Sequence, residues 1–187
     1  MSVGAGTGLP LWMLDSSTFI NALAIDRVAL LVLLRSPLFV PEYVLRIELG
    51  VNARLQTQEG ISEWVRRKKI GVRQLSIGDL ERIAQLAAPR RVGVGELACA
   101  IIAERDGGGV LCDDWRARRW LEQETTPACW NSIEDVLVDA AGALHVSEYD
   151  LVDFQVKLER ARYRCRVDLR LAHLQRHSYR QHGGEGQ

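Results

Sequence analysis

Short apolar runs alternate with segments of helical periodicity along most of the chain. The apolar runs are four to eight residues long, which is typical of buried strands, whereas apolar residues three and four positions apart predict helices. Alternation of the two patterns predicts an α/β fold with a parallel sheet. The predicted strands are 11–14, 38–41, 70–77 and 109–112, with 125–130 as a turn or edge strand. The predicted helices begin near Thr18 and at Asp113, and cover 41–49, 61–69, 78–88, 96–107 and 131–142.

A different pattern begins at the segment "SEYD" (147–150), which has the spacing of a helix-capping box. The apolar residues after it recur at three- and four-residue intervals, which predicts one long amphipathic helix. We therefore divide the chain into an α/β domain (9–146), a basic amphipathic helical extension (147–182) and a disordered tail (183–187). The apolar stripe of the extension consists of Leu151, Phe154, Leu158, Ala161, Cys165, Leu169 and Ala172.

Charge is unevenly distributed although the chain as a whole is neutral. Residues 156–182 carry a balance of +6, so the remainder carries −6. The basic segment has two interpretations, which the sequence leaves open. It is either the solvated face of a helix packed on the domain or on a second copy, or an electrostatic footprint for RNA or for an acidic protein segment. Arg160 and Arg164 are the candidate RNA contacts within it.

Composition indicates a globular protein, with 47% hydrophobic and 26% charged residues. The longest apolar run, Val28–Leu34, is too short to cross a bilayer, and the first residues lack the pattern of a secretory signal. The four cysteines are widely separated, which favours reduced thiols over a disulfide framework or a zinc site. We therefore expect a cytoplasmic protein that does not enter the membrane.

Carboxylates stand next to the predicted strands. Asp15 follows the first strand, and Asp113 and Asp114 follow the strand at 109–112. Glu48 lies near the end of one predicted helix and Glu96 near the start of another. In a parallel α/β sheet, functional groups gather beyond the carboxyl ends of the strands, so three or four of these acids could share one pocket. Such a cluster is unfavourable alone, and a divalent cation with oxygen ligands such as Mg²⁺ would resolve it.

Four segments of the chain resemble the acidic blocks of PIN-domain ribonucleases. They are "LDSSTFI" (14–20), "VPEYVLRIEL" (40–49), "VGELACAIIAE" (94–104) and "VLCDDWRAR" (110–118). Their order and spacing fit the family over roughly residues 11–144. The resemblance is strongest to the prokaryotic VapC-like toxin group, in which the last block often reads Asp-Asp-x-x-Ala-Arg. Trp120 and Leu121 stand where the family often has a small residue, and the basic extension lies outside the family pattern.

The resemblance implies a PIN-like doubly wound parallel sheet flanked by helices, to which the amphipathic pattern adds a C-terminal helical extension. It also implies RNA cleavage dependent on Mg²⁺ or Mn²⁺, and an antitoxin as protein partner. A homodimer is a further partner expected from the family and from the apolar helices. Carried over by position, the resemblance implies four catalytic, metal-binding acids: Asp15, Glu48, Glu96 and Asp114. It implies Asp113 as an additional metal-binding carboxylate. Ser17 would provide the hydroxyl that supports the site.

Simpler structural roles compete with these assignments. Asp15, Ser17 and the Asp113-Asp114 pair could serve only as helix caps or first-turn acids. Arg118 could be a solvated helix residue rather than a phosphate contact. The tryptophans are expected mainly in the core or at a subunit interface, with base stacking by Trp115 as the less favoured alternative.

At the level of function, the alternative to a ribonuclease is a catalytically inactive PIN-like binding or scaffolding module. An aspartyl phosphotransferase is disfavoured because Ser17 stands where such enzymes need a second aspartate.

Overall fold

The computed structural model describes residues 10–87 and 92–182. Within them five strands form one sheet in which every neighbouring pair is parallel, as the alternating pattern predicts. The strands are β1 (Trp12–Leu14), β2 (Leu38–Pro41), β3 (Gly71–Arg73), β4 (Gly109–Leu111) and β5 (Cys129–Asn131).

The strand order β3-β2-β1-β4-β5 decides where a site can form. The chain runs outward from β1 through β2 to β3, then returns to the other side of β1 for β4 and β5. Crevices at the carboxyl ends of strands open where the order reverses in this way, here between β1 and β4. Leu14 is in register with Leu111, and the backbone N–H of Asp15 donates to the Leu111 carbonyl at 3.0 Å. Asp15 therefore lies at that reversal point.

Nine α-helices and one π-helix flank the sheet in the described part of the chain. Several begin at the polar caps that the sequence indicates. Asp15 and Asp114 cap the helices that follow them, and Ser132 and Ser147 each form a capping box. The helices are α1 (Ser16–Ala24), α2 (Val28–Leu34), the π-helix (Val44–Asn52), α3 (Leu55–Arg66), α4 (Ile77–Ala87), α5 (Val94–Asp106), α6 (Trp115–Glu124), α7 (Ile133–Gly142), α8 (Glu148–Arg160) and α9 (Leu169–His182).

Three predicted segments have wrong boundaries. The strand predicted at 70–77 is only β3, because Ser76 and Asp79 exchange hydrogen bonds that begin α4 and so end the extended backbone. The helix predicted at 61–69 begins six residues earlier, at Leu55. The segment predicted as a helix over 41–49 is wound as a π-helix and extends to Asn52.

The single long helix predicted after residue 147 is also wrong, because the chain breaks after α8. Arg162 adopts a positive φ of 68°. This turn lets the N–H groups of Arg162 and Tyr163 donate to carbonyls in the last turn of α8, as at many helix ends. The segment 161–168 then leads into α9.

Both C-terminal helices belong to the hydrophobic core of the sheet domain. Leu151, Phe154 and Leu158 of α8 and Leu169 of α9 are fully buried in the same apolar cluster as β1 and α7. The predicted extension at 147–182 is thus a layer of the fold. Its apolar stripe packs against the domain except at Ala161, which is exposed at the break. The predicted tail at 183–187 lies outside the described residues. None of the helices within 10–87 and 92–182 has the length and apolarity needed to span a membrane.

Candidate functional site

Asp15 forms the buried floor of the candidate site, with only 1% of its surface exposed. Its Oδ2 accepts hydrogen bonds from the backbone N–H of Ser17 at 3.1 Å and from the Ser17 hydroxyl. The cap of α1 thus uses one carboxylate oxygen. The other oxygen, Oδ1, is buried without a hydrogen-bond donor among the described residues. Helix capping therefore explains the contacts of Oδ2 but not the burial of Oδ1.

Glu48 reaches the site from the π-helix. Its Oε2 accepts a hydrogen bond of 2.6 Å from the hydroxyl of Ser16, in the first turn of α1. Its carboxylate also lies directly on Gly95 at the start of α5, so close that a Cβ atom on residue 95 would collide with it. The lack of a side chain at Gly95 is what leaves room for Glu48.

Glu96 occupies the first turn of α5, where Gly93 is the N-cap residue and provides no side-chain cap. The Glu96 carboxylate folds back over Gly93 and is stabilised by the backbone N–H groups of Gly93 and Glu96. Two carboxylates, those of Glu48 and Glu96, thus lie over the positive end of α5, which partly offsets their mutual repulsion.

Asp114 lies on the exposed side of the cluster, at the end of β4. Its Oδ1 caps α6 by accepting from the N–H groups of Arg116 at 2.8 Å and Ala117 at 3.0 Å. Like Asp15, it uses a single oxygen for this structural role.

The four acids lie near enough to one another for their charges to interact. Burial raises the pKa of Asp15 to about 7, and the charges of Glu96 and Glu48 add to the effect, whereas Ser17 opposes it. Burial likewise raises the pKa of Glu96, and Glu48 and Asp114 contribute to that shift. Each acid of the predicted quartet therefore acts on at least one other member.

Asp113 makes contacts of a different kind from those of the four acids. Its Oδ2 accepts from the side-chain amide of Asn21 at 2.7 Å, and its Oδ1 accepts from the backbone N–H of Ile133 at 2.7 Å. Both oxygens are thus engaged where α1 meets the start of α7. Burial raises the pKa of Asp113 to about 6. Structural contacts thus engage both oxygens of this carboxylate, and its role as a metal ligand stays a prediction.

The supporting hydroxyls are a pair, of which the sequence indicates only one. Ser17 holds Asp15, at the position that the family resemblance implies, and Ser16 holds Glu48. The adjacent serines were the available signal. Which of them faces Glu48 depends on the winding of the π-helix, whose i→i+5 hydrogen bonds shift the direction of every side chain relative to an α-helix.

The predicted RNA-contacting arginines differ in their surroundings. Arg118 is largely enclosed and pairs with Glu122 at 2.8 Å, which matches its structural interpretation. Arg160 and Arg164 are exposed, at the end of α8 and in the segment after it.

The most prominent cavity of the described residues, about 480 Å³, lies between α2, α7 and α9, and none of the four acids lines it.

The four acids offer oxygen donors of the kind that Mg²⁺ and Mn²⁺ prefer. Among the described residues, no group of three or more His, Cys, Asp or Glu side chains is arranged to hold a metal ion. Mg²⁺ in proteins is, however, usually bound through one or two carboxylates and keeps several waters. Asp15 Oδ1, buried and without a donor, is the atom that fits such a ligand most directly.

Comparison with known proteins returns no match: no family model, no curated protein and no solved structure matches the chain. The resemblance described above therefore rests on the four sequence blocks and on the positions of their residues.

The raised pKa of Asp15 predicts how stability depends on pH. The folded protein keeps a proton on Asp15 that the unfolded chain releases, so the contribution of this group to stability is lost as pH rises from about 4 to about 7. Without metal and at about pH 8, we expect the free energy of unfolding of Asp15→Asn to exceed that of the wild type by on the order of 2–4 kcal/mol. The difference should shrink towards pH 4. Urea denaturation at several pH values measures it.

The control is Asp153→Asn, which removes an exposed carboxylate paired with Lys157 on the surface of α8. It should change stability by less than about 0.5 kcal/mol at every pH. A wild type as stable as Asp15→Asn throughout this pH range would show that Asp15 is not held under electrostatic strain.

Proposed function

We propose that this protein is a metal-dependent endoribonuclease with a PIN-like fold, and that it is the toxin of a toxin–antitoxin pair. The carboxylate of Asp15 is the observation that carries the proposal. It is buried, it lacks a donor at Oδ1 within the described structure, and it lies within the electrostatic reach of Glu96 and Glu48. A purely structural cap does not require two further acids at the same point.

The doubly wound, PIN-like assignment is supported by the strand order and by the positions of the acids. Asp15 and Asp114 follow β1 and β4, the two strands on either side of the reversal point. Glu48 and Glu96 enter from the helices that follow β2 and precede β4. This is the chain order of the four blocks of the family.

A divalent cation, Mg²⁺ or Mn²⁺, would be held by Asp15, Glu96 and Asp114, with Glu48 beside them. When bound, it would supply neutralisation of the charge that develops on the phosphoryl oxygens.

The residues of the chain prepare this site. Ser17 and Ser16 fix the carboxylates of Asp15 and Glu48, and the start of α5 favours negative charge on Glu96. During hydrolysis the oxygen of a water adds to phosphorus and the bond to the leaving ribose oxygen breaks. The water loses a proton as it adds, and the leaving ribose oxygen takes up a proton from solvent. A bound cation would counteract the burial and the neighbouring charges that raise the pKa of Glu96 in the metal-free protein.

The alternative function is a PIN-like module that binds or scaffolds without turnover. Loss of an acid would favour it, and all four acids are retained here. An antitoxin, a second copy of the chain and a cytoplasmic location belong to the same proposal as the ribonuclease.

The purified protein should cleave single-stranded RNA in the presence of Mn²⁺ or Mg²⁺, and EDTA should stop the cleavage. Asp15→Asn and Asp114→Asn should each lower the cleavage rate by on the order of 100-fold or more, because each removes a charged oxygen ligand. Cleavage of a labelled RNA measured over time by gel electrophoresis tests this. Asp153→Asn, on the exposed surface of α8, should cleave at the wild-type rate. Equal cleavage by the wild type and both site variants would identify a contaminant and refute the proposal.

Gly95 offers a test that removes no acid. Gly95→Ala adds one methyl group that collides with the carboxylate of Glu48. We expect it to fold, since alanine favours a helix over glycine by about 1 kcal/mol, and to cleave about 10–100-fold more slowly because Glu48 is displaced. Circular dichroism and the cleavage assay measure the two effects.

The matched control is Gly78→Ala, a glycine in α4 whose added Cβ would meet nothing closer than 3.9 Å. It should keep full activity. A folded Gly95→Ala with the wild-type rate would exclude Glu48 from the mechanism.

A further inference from the structure

One aromatic side chain beside the candidate site remains open to solvent. Trp115 directly follows Asp114 and begins α6, yet 45% of its surface is exposed. The guanidinium carbon of Arg166, from the segment between α8 and α9, lies 4.7 Å from the centroid of the Trp115 ring. A cation at this distance over an indole is an attractive contact, and it orients both side chains. The core does not account for this pair.

Hydrogen bonds to α7 hold the segment that carries Arg166 in place. Glu134, a buried residue in the first turn of α7, accepts from the backbone N–H of Arg166 at 2.9 Å and from the hydroxyl of Tyr163 at 2.8 Å. The neighbouring Ile133 N–H binds Asp113. The same helix start therefore fixes both the segment 161–168 and the end of β4, so that the position of Arg166 relative to Asp114 is set by the fold.

The charge of Arg166 is only weakly compensated. Its one ion pair within the described residues, with Glu134, is long at 3.8 Å, and the Glu134 oxygen already accepts two hydrogen bonds. Arg162 and Arg164 of the same segment are also exposed. The segment thus presents positive charge beside a cluster of carboxylates, an arrangement that suits a phosphate near a metal-dependent site.

We propose that Trp115 and Arg166 form a nucleotide subsite for single-stranded RNA, in which a base stacks on the indole and an adjacent phosphate pairs with the guanidinium. The identity of the ligand rests on the proposed function. Trp115 directly follows Asp114 in the chain, so a base on the indole would lie beside the candidate site. Only an unpaired base offers its face for stacking, and stacking tolerates every base, so the subsite contributes affinity rather than sequence choice.

The test is binding of a fluorescently labelled single-stranded RNA, measured by anisotropy in EDTA so that no cleavage occurs. Trp115→Ala should weaken binding by about 5–100-fold, and Trp115→Phe should retain most of the affinity because it keeps an aromatic face. Arg166→Gln should weaken binding and reduce the slope of log affinity against log salt by about one. Tyr149→Ala, which removes an aromatic side chain that is 84% exposed on α8, should bind as the wild type does.

Several outcomes would overturn the subsite: no RNA binding by the wild type, wild-type affinity in Trp115→Ala, or equal losses in Trp115→Phe and Trp115→Ala. Tighter, Trp115-dependent binding of an acidic peptide than of RNA would identify a protein-binding surface instead. The test is independent of catalysis, because it is made in EDTA, where no cleavage occurs. RNA binding that depends on Trp115 in a protein that does not cleave would support the subsite and refute the ribonuclease.

Discussion

The burial of a carboxylate among other carboxylates is the constraint on which the rest of the site depends. Asp15 cannot leave this position, because its backbone continues the pairing of β1 with β4 and its side chain begins α1. Glu48 and Glu96 then approach it over the start of α5. Two serine hydroxyls and the positive end of a helix offset part of the repulsion, and a proton on Asp15 offsets more at low pH. A bound cation would replace that proton.

The adjacent aspartates Asp113 and Asp114 make different contacts and have different roles. Asp113 joins α1 to the start of α7, and Asp114 caps α6 while its charge acts on Glu96. Because α7 also anchors the segment 161–168 through Glu134, the C-terminal part of the chain is connected to the site through the core. The basic segment therefore has a defined place beside the carboxylates, which a loosely attached extension would lack.

Local sequence patterns were sufficient to predict the parallel sheet and the positions of two of the acids. Asp15 and Asp114 directly follow short apolar strands, so the strand pattern alone predicts their edge of the sheet. The sequence could predict the position of Glu48 but not the direction in which its side chain points. Its helix is a π-helix, whose periodicity an α-helical pattern does not detect. The break after α8 and the contact of Arg166 with Trp115 depend on long-range packing, which no local pattern contains.

Calorimetric titration of Mn²⁺ tests the central claim most directly, because it measures the exchange of a proton for a cation at Asp15. At about pH 6, in two buffers of different ionisation enthalpy, the account predicts binding with release of protons, since a metal ligand must be deprotonated. At about pH 8.5 binding should continue with little proton release, and Asp15→Asn should bind weakly at either pH. Absence of Mn²⁺ binding to the wild type, or equal binding by Asp15→Asn, would contradict the account.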